Sequence, residues 1–244
     1  MASFAVIIPA AGKGERFGGR EKKTFAKLAG KPLFLQTIQL FINREDVCQT
    51  LLAVAPEDMN DMKTRYAANL GFMGVKLVEG GARRCETVAR ALDDVTNKAD
   101  FVAIHDAARP CTAESTIDAV FAAAKKYGAA IPATPVTSTL KRVNKSDLIE
   151  ETVSREGLYL AQTPQVFRRD WLIEAYQKLD ELDEDITDDA QLVVRAGHPV
   201  FIVRSDATNI KITTKGDVML AQAILKSRPA KAVSKLSPFE EAQW

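Results

Sequence analysis

Glycines and basic residues are interspersed over residues 12–23, directly after an apolar run at residues 4–8. The segment holds four glycines and five lysines or arginines. Glycine lets backbone N–H groups close around an anion, and the basic side chains neutralise its charge. The apolar run has the composition of a buried strand. A buried strand that feeds such a loop is typical of phosphate binding.

Two common phosphate-binding patterns do not fit this loop. Phe17 lies where the dinucleotide fingerprint G-x-G-x-x-G requires its third glycine, and no Gly-Lys-Ser/Thr follows a glycine at the Walker spacing. A flexible surface loop with solvated charge would also explain the glycines and the charge. The small residues Ala10 and Ala11, immediately after the strand, favour instead a backbone that a ligand approaches closely.

A second candidate site follows another apolar run, at residues 101–104. Asp106 would lie at the end of this strand, in the segment HDAARP. Mg²⁺ prefers one or two carboxylates together with substrate phosphates, so Asp106 is a candidate metal ligand. A helix cap or an ion pair with Arg109 would also explain the carboxylate. The neighbouring His105 is a lone histidine, a residue that is more often structural than catalytic.

Composition limits the class of protein and its partners. The 244 residues are 46% hydrophobic with a formal net charge of +1, which permits one sizeable α/β domain and offers no global basic field for nucleic acid. Cys48, Cys85 and Cys111 are odd in number and far apart, which argues against disulfides or zinc and favours the reducing cytoplasm. We expect neither a membrane span, which needs roughly 18 apolar residues, nor a signal peptide.

Apolar strands alternate with helical segments through the first half of the chain. The strands are predicted at residues 4–8, 50–55, 75–78, 101–104 and 129–133. Between them, Gly71 is expected to end one helix and Thr112 to cap the next. This rhythm predicts an α/β fold with a doubly wound, mostly parallel sheet and helices on both faces. Ligands bind such sheets at the carboxyl ends of the strands. The glycine loop, Gly80-Gly81 and Asp106 should therefore share one crevice.

The rhythm breaks at residues 134–163. Pieces rich in β-forming residues flank a polar turn at residues 144–147, which predicts a hairpin that projects from the core. We call residues 135–157 the arm. A two-stranded ribbon is only marginally stable in water, so the arm should pack against another surface.

The rest of the chain completes the predicted domain. Helices are predicted near 168–180 and 188–196, followed by strands at 199–203 and 209–212. The pattern Thr214-x-x-Asp217 predicts a capping box at the start of a last helix. We expect a single domain over residues 1–227 and a peripheral tail over residues 228–244.

Six blocks, in order along the chain, resemble a known family. They are PAAGKGERFGG followed by a lysine, GGARRCETV (80–88), HDAARP (105–110), TLKR (139–142), TVSREGLYLAQTPQVF (152–167) and NIKIT (209–213). Together they resemble the nucleotidyltransferases, and among these the 2-C-methyl-D-erythritol 4-phosphate cytidylyltransferases of the non-mevalonate isoprenoid pathway. The resemblance extends from about Phe4 to about Ile224.

The resemblance implies a reaction and its partners. It implies a Rossmann-like nucleotidyltransferase fold and transfer of a cytidylyl group from CTP to 2-C-methyl-D-erythritol 4-phosphate, with Mg²⁺ as cofactor and pyrophosphate as the second product. It also implies a homodimer in which the arm clasps the second subunit and helps to form its site. Two alternatives stay open, a ribitol-5-phosphate cytidylyltransferase and a catalytically inactive nucleotide-binding regulator.

The same resemblance assigns roles to individual residues. The catalytic residues it implies are Arg16, Lys23 and Lys211. The nucleotide-binding residues it implies are Pro9, Ala10, Ala11, Gly12, Gly14, Gly81, Ala82, Arg84 and Thr87. The residues implied to bind the sugar phosphate are Asp106, Arg109, Thr139, Arg155, Thr163 and Thr187, and Asp106 is also the implied metal ligand. Thr139 and Arg155 belong to the arm and would serve the neighbouring subunit's site.

The chain also departs from the family pattern. The family usually has Pro-Lys-Gln where this chain has Lys22-Lys23-Thr24, so Lys22 could compete with Lys23 for the catalytic role. An acidic residue sometimes found at the position of Ala82 is missing, which leaves only a backbone role there. Asp206 is a candidate for a second metal ligand.

Overall fold

A computed structural model describes residues 2–12, 17, 25–179 and 186–228. Arg16, Lys23 and Gly14, as well as all but the first residue of the predicted tail, lie outside these described residues. The strands are β1 Phe4–Pro9, β2 Lys27–Leu28, β3 Lys31–Pro32, β4 Val47–Val54, β5 Val75–Glu79, β6 Phe101–Ile104, β7 Ala129–Pro135, β8 Leu140–Val143, β9 Ile149–Val153, β10 Tyr159–Ala161, β11 Gln165–Arg168 and β12 Phe201–Arg204. The helices are α1 Leu33–Ile38, α2 Met59–Phe72, α3 Arg84–Asp93, α4 Glu114–Tyr127, α5 Arg169–Gln177, α6 Asp189–Arg195 and α7 Lys215–Ser227.

One eight-stranded sheet forms the centre of the molecule. Its strand order is β10-β7-β11-β6-β1-β4-β5, and β12 also pairs with β7. The pairings of β1 with β4 and β6, of β4 with β5 and of β12 with β7 are parallel. Among the described strands of this sheet, only β10 and β11 run against the others. The predicted mostly parallel α/β sheet is confirmed.

Alternate residues of β1 face two separate apolar cores. Phe4, Val6 and Ile8 pack with α1, α2 and α4, whereas Ala5 and Ile7 pack with α3, α5 and α6. Successive side chains of a strand point to opposite faces, so an unbroken apolar run is what a strand covered by helices on both sides requires. The helices do cover both faces, as a doubly wound sheet predicts.

Three loops meet at the carboxyl edge of this sheet. The Ala10 N–H donates to the Ala53 carbonyl of β4, and the Gly80 N–H donates to Val54 O at 2.7 Å. The His105 N–H donates to the carbonyl of Ile7 in β1 at 2.9 Å. The loops after β1, β5 and β6 are therefore neighbours at one edge, as predicted.

The arm is an antiparallel hairpin of β8 and β9. Leu140 pairs with Val153 and Arg142 with Glu151, and the Asn144 side-chain oxygen accepts the backbone N–H groups of Ser146 and Leu148 to close the turn. All the side chains of β8 and β9 are exposed or half-exposed. The predicted projecting hairpin is confirmed.

Several predicted boundaries were wrong. The segment at residues 209–212 is not a strand, and α2 continues through Gly71 before Gly74 adopts a φ of +65°. Thr112 does not cap α4, because the helix begins at Glu114 and the Thr112 hydroxyl donates to Asn209 Oδ1 instead. The capping box at Thr214 and Asp217 is confirmed.

Among the described residues, no helix is both long enough and apolar enough to cross a membrane.

Candidate active site

A pocket of about 220 Å³ lies beyond the carboxyl end of β6. Its wall combines the segment after β6, the turn before β11, the start of α6 and the loop before α7. The lining residues are Arg84, Asp106, Arg109, Ala161, Gln162, Thr163, Gln165, Thr187, Asp188 and Lys211.

Among the described residues, three cations surround the Asp106 carboxylate in this pocket. Lys211 Nζ lies 2.8 Å from Asp106 Oδ2, Arg109 Nε lies 3.6 Å from the same oxygen, and Arg84 Nε lies 3.4 Å from Asp106 Oδ1. Asp106 itself is buried. The carboxylate therefore occupies the point toward which three positive side chains converge.

These cations decide the charge of Asp106. Burial by itself would raise its pKa, but the positive charges of Lys211, Arg84 and Arg109 outweigh burial and hold the pKa well below its usual range. Asp106 is thus ionised at neutral pH. A phosphate oxygen that entered the pocket would compete with this carboxylate for the same cations.

A backbone hydrogen bond places Lys211 at the pocket. The Ile212 N–H donates to Ala108 O at 2.8 Å, and the Ile212 side chain is buried in a small core with α7. The side chains alternate in direction although no strand forms at this segment: Ile212 points inward and Lys211 points to Asp106.

His105 fixes the segment that carries Asp106. Its Nε2 lies 3.1 Å from Arg109 O, and its Nδ1 lies 3.1 Å from Thr163 Oγ1. Burial lowers the pKa of His105 to about 4, so the ring is neutral. Nε2 then carries the proton, because a carbonyl can only accept, and Nδ1 accepts from Thr163.

Thr163 links this ring to the pocket. Its Oγ1 also accepts the Asp106 N–H at 3.1 Å, and its carbonyl accepts from the Asn209 amide at 2.9 Å. Arg109 Nη1 donates to Asn209 O at 2.6 Å. The segments of Asp106, Thr163 and Lys211 are thereby held in one hydrogen-bonded network around the pocket, and the predicted residues in it lie together.

The other side of the pocket is set by α3 and α6. Arg84, at the start of α3, donates from Nη2 to Asp189 Oδ2 at 2.7 Å. Thr187 precedes α6, and its N–H and hydroxyl both donate to Gln191 Oε1. Gln165 accepts the N–H groups of Asp189 and Ala190 at 3.1 and 3.0 Å, which ties the start of α6 to β11.

A tight turn after β5 lies against the start of the glycine loop. A Cβ atom on Gly80 would approach Ala11 Cβ to 2.9 Å, and one on Gly81 would approach Glu86 Cβ to 2.5 Å, so larger residues would not fit there. The Thr87 hydroxyl is buried and accepts the Gly81 N–H at 3.1 Å, and the Ala82 N–H donates to Glu86. These hydrogen bonds fix the shape of the turn.

The predicted site residues that the structure describes divide into three sets. The structure brings together Arg84, Asp106, Arg109, Thr163, Thr187 and Lys211 in the pocket. Pro9, Ala10, Ala11, Gly12, Gly81, Ala82 and Thr87 lie at the end of β1, in the loops after β1 and β5, and in α3. Thr139 and Arg155 lie on the arm, and no arm residue is among the described residues that line the pocket.

Sequence reasoning missed several residues that line or support the pocket. Gln162, Gln165 and Asp188 line it, and Asp189 pairs with Arg84. Gln165 lies inside the block that carries the resemblance, but the residue type alone gives no signal of its role. Asp206, by contrast, is not among the described lining residues, and its carboxylate accepts the Thr208 N–H at 2.7 Å.

The donor set at Asp106 fits a magnesium ion held mainly by a ligand's phosphates. Among the described residues, no cluster of three or more histidines, cysteines or carboxylates could hold a metal by itself. A single carboxylate beside polyphosphate is the arrangement Mg²⁺ commonly uses. Asp106 fits this role because the three cations that contact its carboxylate would also attract phosphates.

Comparisons with known proteins agree with this geometry. The family model described as IspD, 2-C-methyl-D-erythritol 4-phosphate cytidylyltransferase, matches residues 4–227. The proteins of that name from Rhodopirellula baltica and Salinibacter ruber are 45% and 40% identical to this chain over 92% and 91% of its length, and over 95% and 92% of their own. The crystal structure of the protein of that name from Thermus thermophilus has a TM-score of 0.76 at 33% identity and covers 93% of this chain and 100% of its own. The chain therefore belongs to the 2-C-methyl-D-erythritol 4-phosphate cytidylyltransferase family.

Proposed function

We propose that this chain transfers the cytidylyl group of CTP to 2-C-methyl-D-erythritol 4-phosphate. The products are 4-diphosphocytidyl-2-C-methyl-D-erythritol and pyrophosphate. Family membership over residues 4–227 supports the reaction. The observation that carries it in the structure is the convergence of Arg84, Arg109 and Lys211 on Asp106, at the carboxyl edge of the sheet.

The chemistry requires two polyanions to meet. An oxygen of the methylerythritol phosphate attacks the α-phosphorus of CTP, the bond from that phosphorus to the bridging oxygen breaks, and pyrophosphate leaves with the electron pair. No dedicated base is needed, because a phosphate monoester has a second pKa of about 6 and is mostly dianionic at neutral pH. The protein supplies position and positive charge.

The pocket cations supply that charge. Lys211, Arg84 and Arg109 would exchange their contacts to Asp106 for contacts to phosphate oxygens. Arg16 and Lys23 of the glycine loop would add positive charge at the triphosphate, as the family resemblance implies. Charge that develops on the phosphoryl group is stabilised most by donors already in place.

Mg²⁺ belongs to the same proposal, with Asp106 as its protein ligand. When bound, the ion would neutralise phosphate charge and orient the polyphosphate. It would also occupy the Asp106 carboxylate, which leaves the three surrounding cations available to the substrates.

The two substrates would occupy different sides of the site. The loops after β1 and β5, with Ala10, Ala11, Gly81 and Ala82, would contact the nucleotide. Thr163, Thr187 and Arg109, at the pocket, would contact the methylerythritol phosphate. The buried Thr87 hydroxyl would act on the nucleotide through the turn it supports.

The arm would complete the site of a second subunit in a homodimer. Thr139 and Arg155 are the arm residues proposed to reach the substrate of the partner's site. Support comes from the projection of the arm and from its exposed apolar side chains, Val143, Leu148 and Ile149.

The cysteines Cys48, Cys85 and Cys111 are free, which supports the cytoplasmic location inferred from the sequence.

A substrate panel with a pyrophosphate-release assay tests the reaction. We expect Mg²⁺-dependent release from CTP only with methylerythritol phosphate, and poor activity with ATP, GTP or UTP, because a site that hydrogen-bonds one base leaves polar groups unpaired with another. Preference for ribitol 5-phosphate would favour the alternative cytidylyltransferase. CTP binding without release would favour an inactive regulator, and equal rates with all four nucleotides would contradict the cytidine assignment.

A further inference from the structure

Arg84 contacts two carboxylates that differ in their surroundings. Its Nη2 lies 2.7 Å from Asp189 Oδ2, and its Nε lies 3.4 Å from Asp106 Oδ1. Asp189 is only 1% exposed and is not among the described residues that line the pocket. The shorter contact therefore lies behind the pocket wall and the longer one within the pocket.

Asp189 is held from three directions. Its Oδ1 accepts the Tyr176 hydroxyl of α5 at 2.6 Å, and its N–H donates to Gln165 Oε1 of β11 at 3.1 Å. Asp189 is itself the first residue of α6. Burial raises the pKa of Tyr176 well above its usual value, so the hydroxyl remains a donor. The carboxylate cannot follow Arg84 into the pocket without breaking these bonds.

The two contacts of Arg84 therefore have different roles when a phosphate arrives. A phosphate oxygen would replace Asp106 at Nε, because that contact is long and Asp106 has two other cationic partners. The contact to Asp189 would stay, and it restricts the guanidinium to orientations that direct Nε to the pocket. A planar guanidinium binds phosphate well only when its donor edge is so directed.

We propose that Asp189, supported by Tyr176, is a positioning residue that aims the Arg84 guanidinium at the polyphosphate. Asp189 does not touch the ligand and acts only through Arg84. The proposal deepens the proposed function, on which it rests for the identity of the ligand as a nucleotide with a polyphosphate chain.

The variant Asp189→Asn tests this with little change in shape. The amide oxygen can still accept from Tyr176, but the amide nitrogen then faces Arg84 Nη2, and two donors cannot bond. We expect roughly tenfold weaker binding of inorganic pyrophosphate in the presence of Mg²⁺, measured by calorimetry, since contacting residues commonly couple by this amount. The KM for CTP should rise by a similar factor.

A double-mutant cycle separates positioning from a general effect on the fold. If Asp189 acts through Arg84, Asp189→Asn in an Arg84→Ala background should change pyrophosphate affinity by less than about twofold. Equal losses in both backgrounds, or no loss in the wild-type background, would overturn the proposal. Asp170→Asn is the matched control, because Asp170 pairs with Arg168 on the surface at α5, and it should leave the affinity unchanged.

Tyr176→Phe provides an independent test if Asp189→Asn or Arg84→Ala does not unfold cooperatively and is therefore misfolded. It removes one hydrogen bond from Asp189 and should weaken pyrophosphate binding roughly two- to fivefold, because only part of the roughly 10- to 100-fold that a hydrogen bond to a charged group contributes reaches the ligand through Asp189 and Arg84. An unchanged affinity would overturn the proposal. A chain that shows the coupling in pyrophosphate binding but releases no pyrophosphate from CTP would contradict the proposed function and leave this inference standing.

Discussion

The pocket and the arm differ in how their residues are held. Asp106, Thr163 and Asn209 are buried and bonded to one another across three segments of the chain. The arm is a hairpin whose side chains bond mainly across the hairpin itself, as in the 2.5 Å pair of Arg142 and Glu151. Leu148 and Ile149 at its turn are 65% and 64% exposed.

This difference indicates what each region needs in order to work. The pocket has its cations and its Asp106 carboxylate in place within one chain. The arm presents Arg155, whose guanidinium donates to Thr137 O of the same arm, and has an apolar end that is exposed in the single chain. A second copy of the chain would supply both the cover and a site for Arg155.

The largest expected effect comes from removing the centre of the pocket. Asp106→Asn should lower kcat about 10²–10³-fold, the usual loss for one group that stabilises a transition state. The amide would bind Mg²⁺ poorly and would leave three cations facing one another. Steady-state rates over a Mg²⁺ titration measure this. The surface variant Asp170→Asn should retain full activity, and an Asp106→Asn enzyme with wild-type kcat would contradict the proposed site.

The buried His105, which fixes the segment of Asp106, should also make the fold sensitive to acid. His105 is neutral in the folded chain with a pKa of about 4, against 6.5 when unfolded, so the unfolded state binds the extra proton. Stability is therefore full above pH 6.5 and falls as the pH drops to 4, by about 3 kcal/mol at most. Urea unfolding at pH 7.5 and pH 5 measures the loss.

A variant without the imidazole provides the control for this prediction. His105→Asn should be less stable than wild type at pH 7.5 but should lose less stability between pH 7.5 and pH 5. The arm should not share the effect, so Arg155→Ala should follow the wild-type pH dependence. An identical slope for His105→Asn and wild type would show that other groups cause the acid sensitivity.

In the arm, Arg155→Ala should raise the KM for methylerythritol phosphate by roughly 10- to 100-fold. A hydrogen bond to a charged group contributes about 1.5–3 kcal/mol, which corresponds to this range. The thermal midpoint should stay near that of wild type, because Arg155 is exposed and its hydrogen bond lies within the arm. Lys141→Ala, on the same hairpin, is the control and should leave KM unchanged. A lower thermal midpoint with an unchanged KM would assign Arg155 a structural role.

The smallest effect on the stability of one chain is expected at the end of the arm. Leu148→Ser should change the free energy of unfolding of the monomer by no more than about 0.5 kcal/mol, the usual limit for substitutions at exposed positions. If the arm packs on a second chain, the same variant should weaken the dimer in sedimentation. Equal dimer dissociation constants for Leu148→Ser and wild type would contradict a contact at this position.

The features predicted correctly from the sequence are those that depend on residues close together in the chain. Strand β6 is recovered at residues 101–104 and Asp106 follows it, because an apolar run and its end can be seen directly in the chain. The hairpin turn at Asn144 and the capping box at Thr214 are likewise local patterns. These features position most of the candidate site.

What the sequence could not predict depends on distant pairings. Strand β11 lies between β6 and β7 although its chain neighbours gave no sign of this insertion. Arg84 and Asp189 are 105 positions apart, and His105 and Thr163 are 58 apart. No local spacing relates such residues, so the network around the pocket became visible only in the folded chain.

A mixed dimer shows whether the pocket of one chain works with the arm of another. One subunit carries Arg155→Ala and the other carries Asp106→Ala, with different tags so that only mixed dimers are purified. If the arm acts on the partner's pocket, both defects fall in one site and the other site is intact, because a two-fold dimer pairs each pocket with the opposite arm.

Pyrophosphate release from CTP and methylerythritol phosphate is then measured for the mixed dimer and for both homodimers. At methylerythritol phosphate concentrations below the wild-type KM, a shared site predicts roughly half of wild-type activity in the mixed dimer, while each homodimer is strongly impaired. A mixed dimer as impaired as the homodimers, or a monomer with full activity, would contradict it.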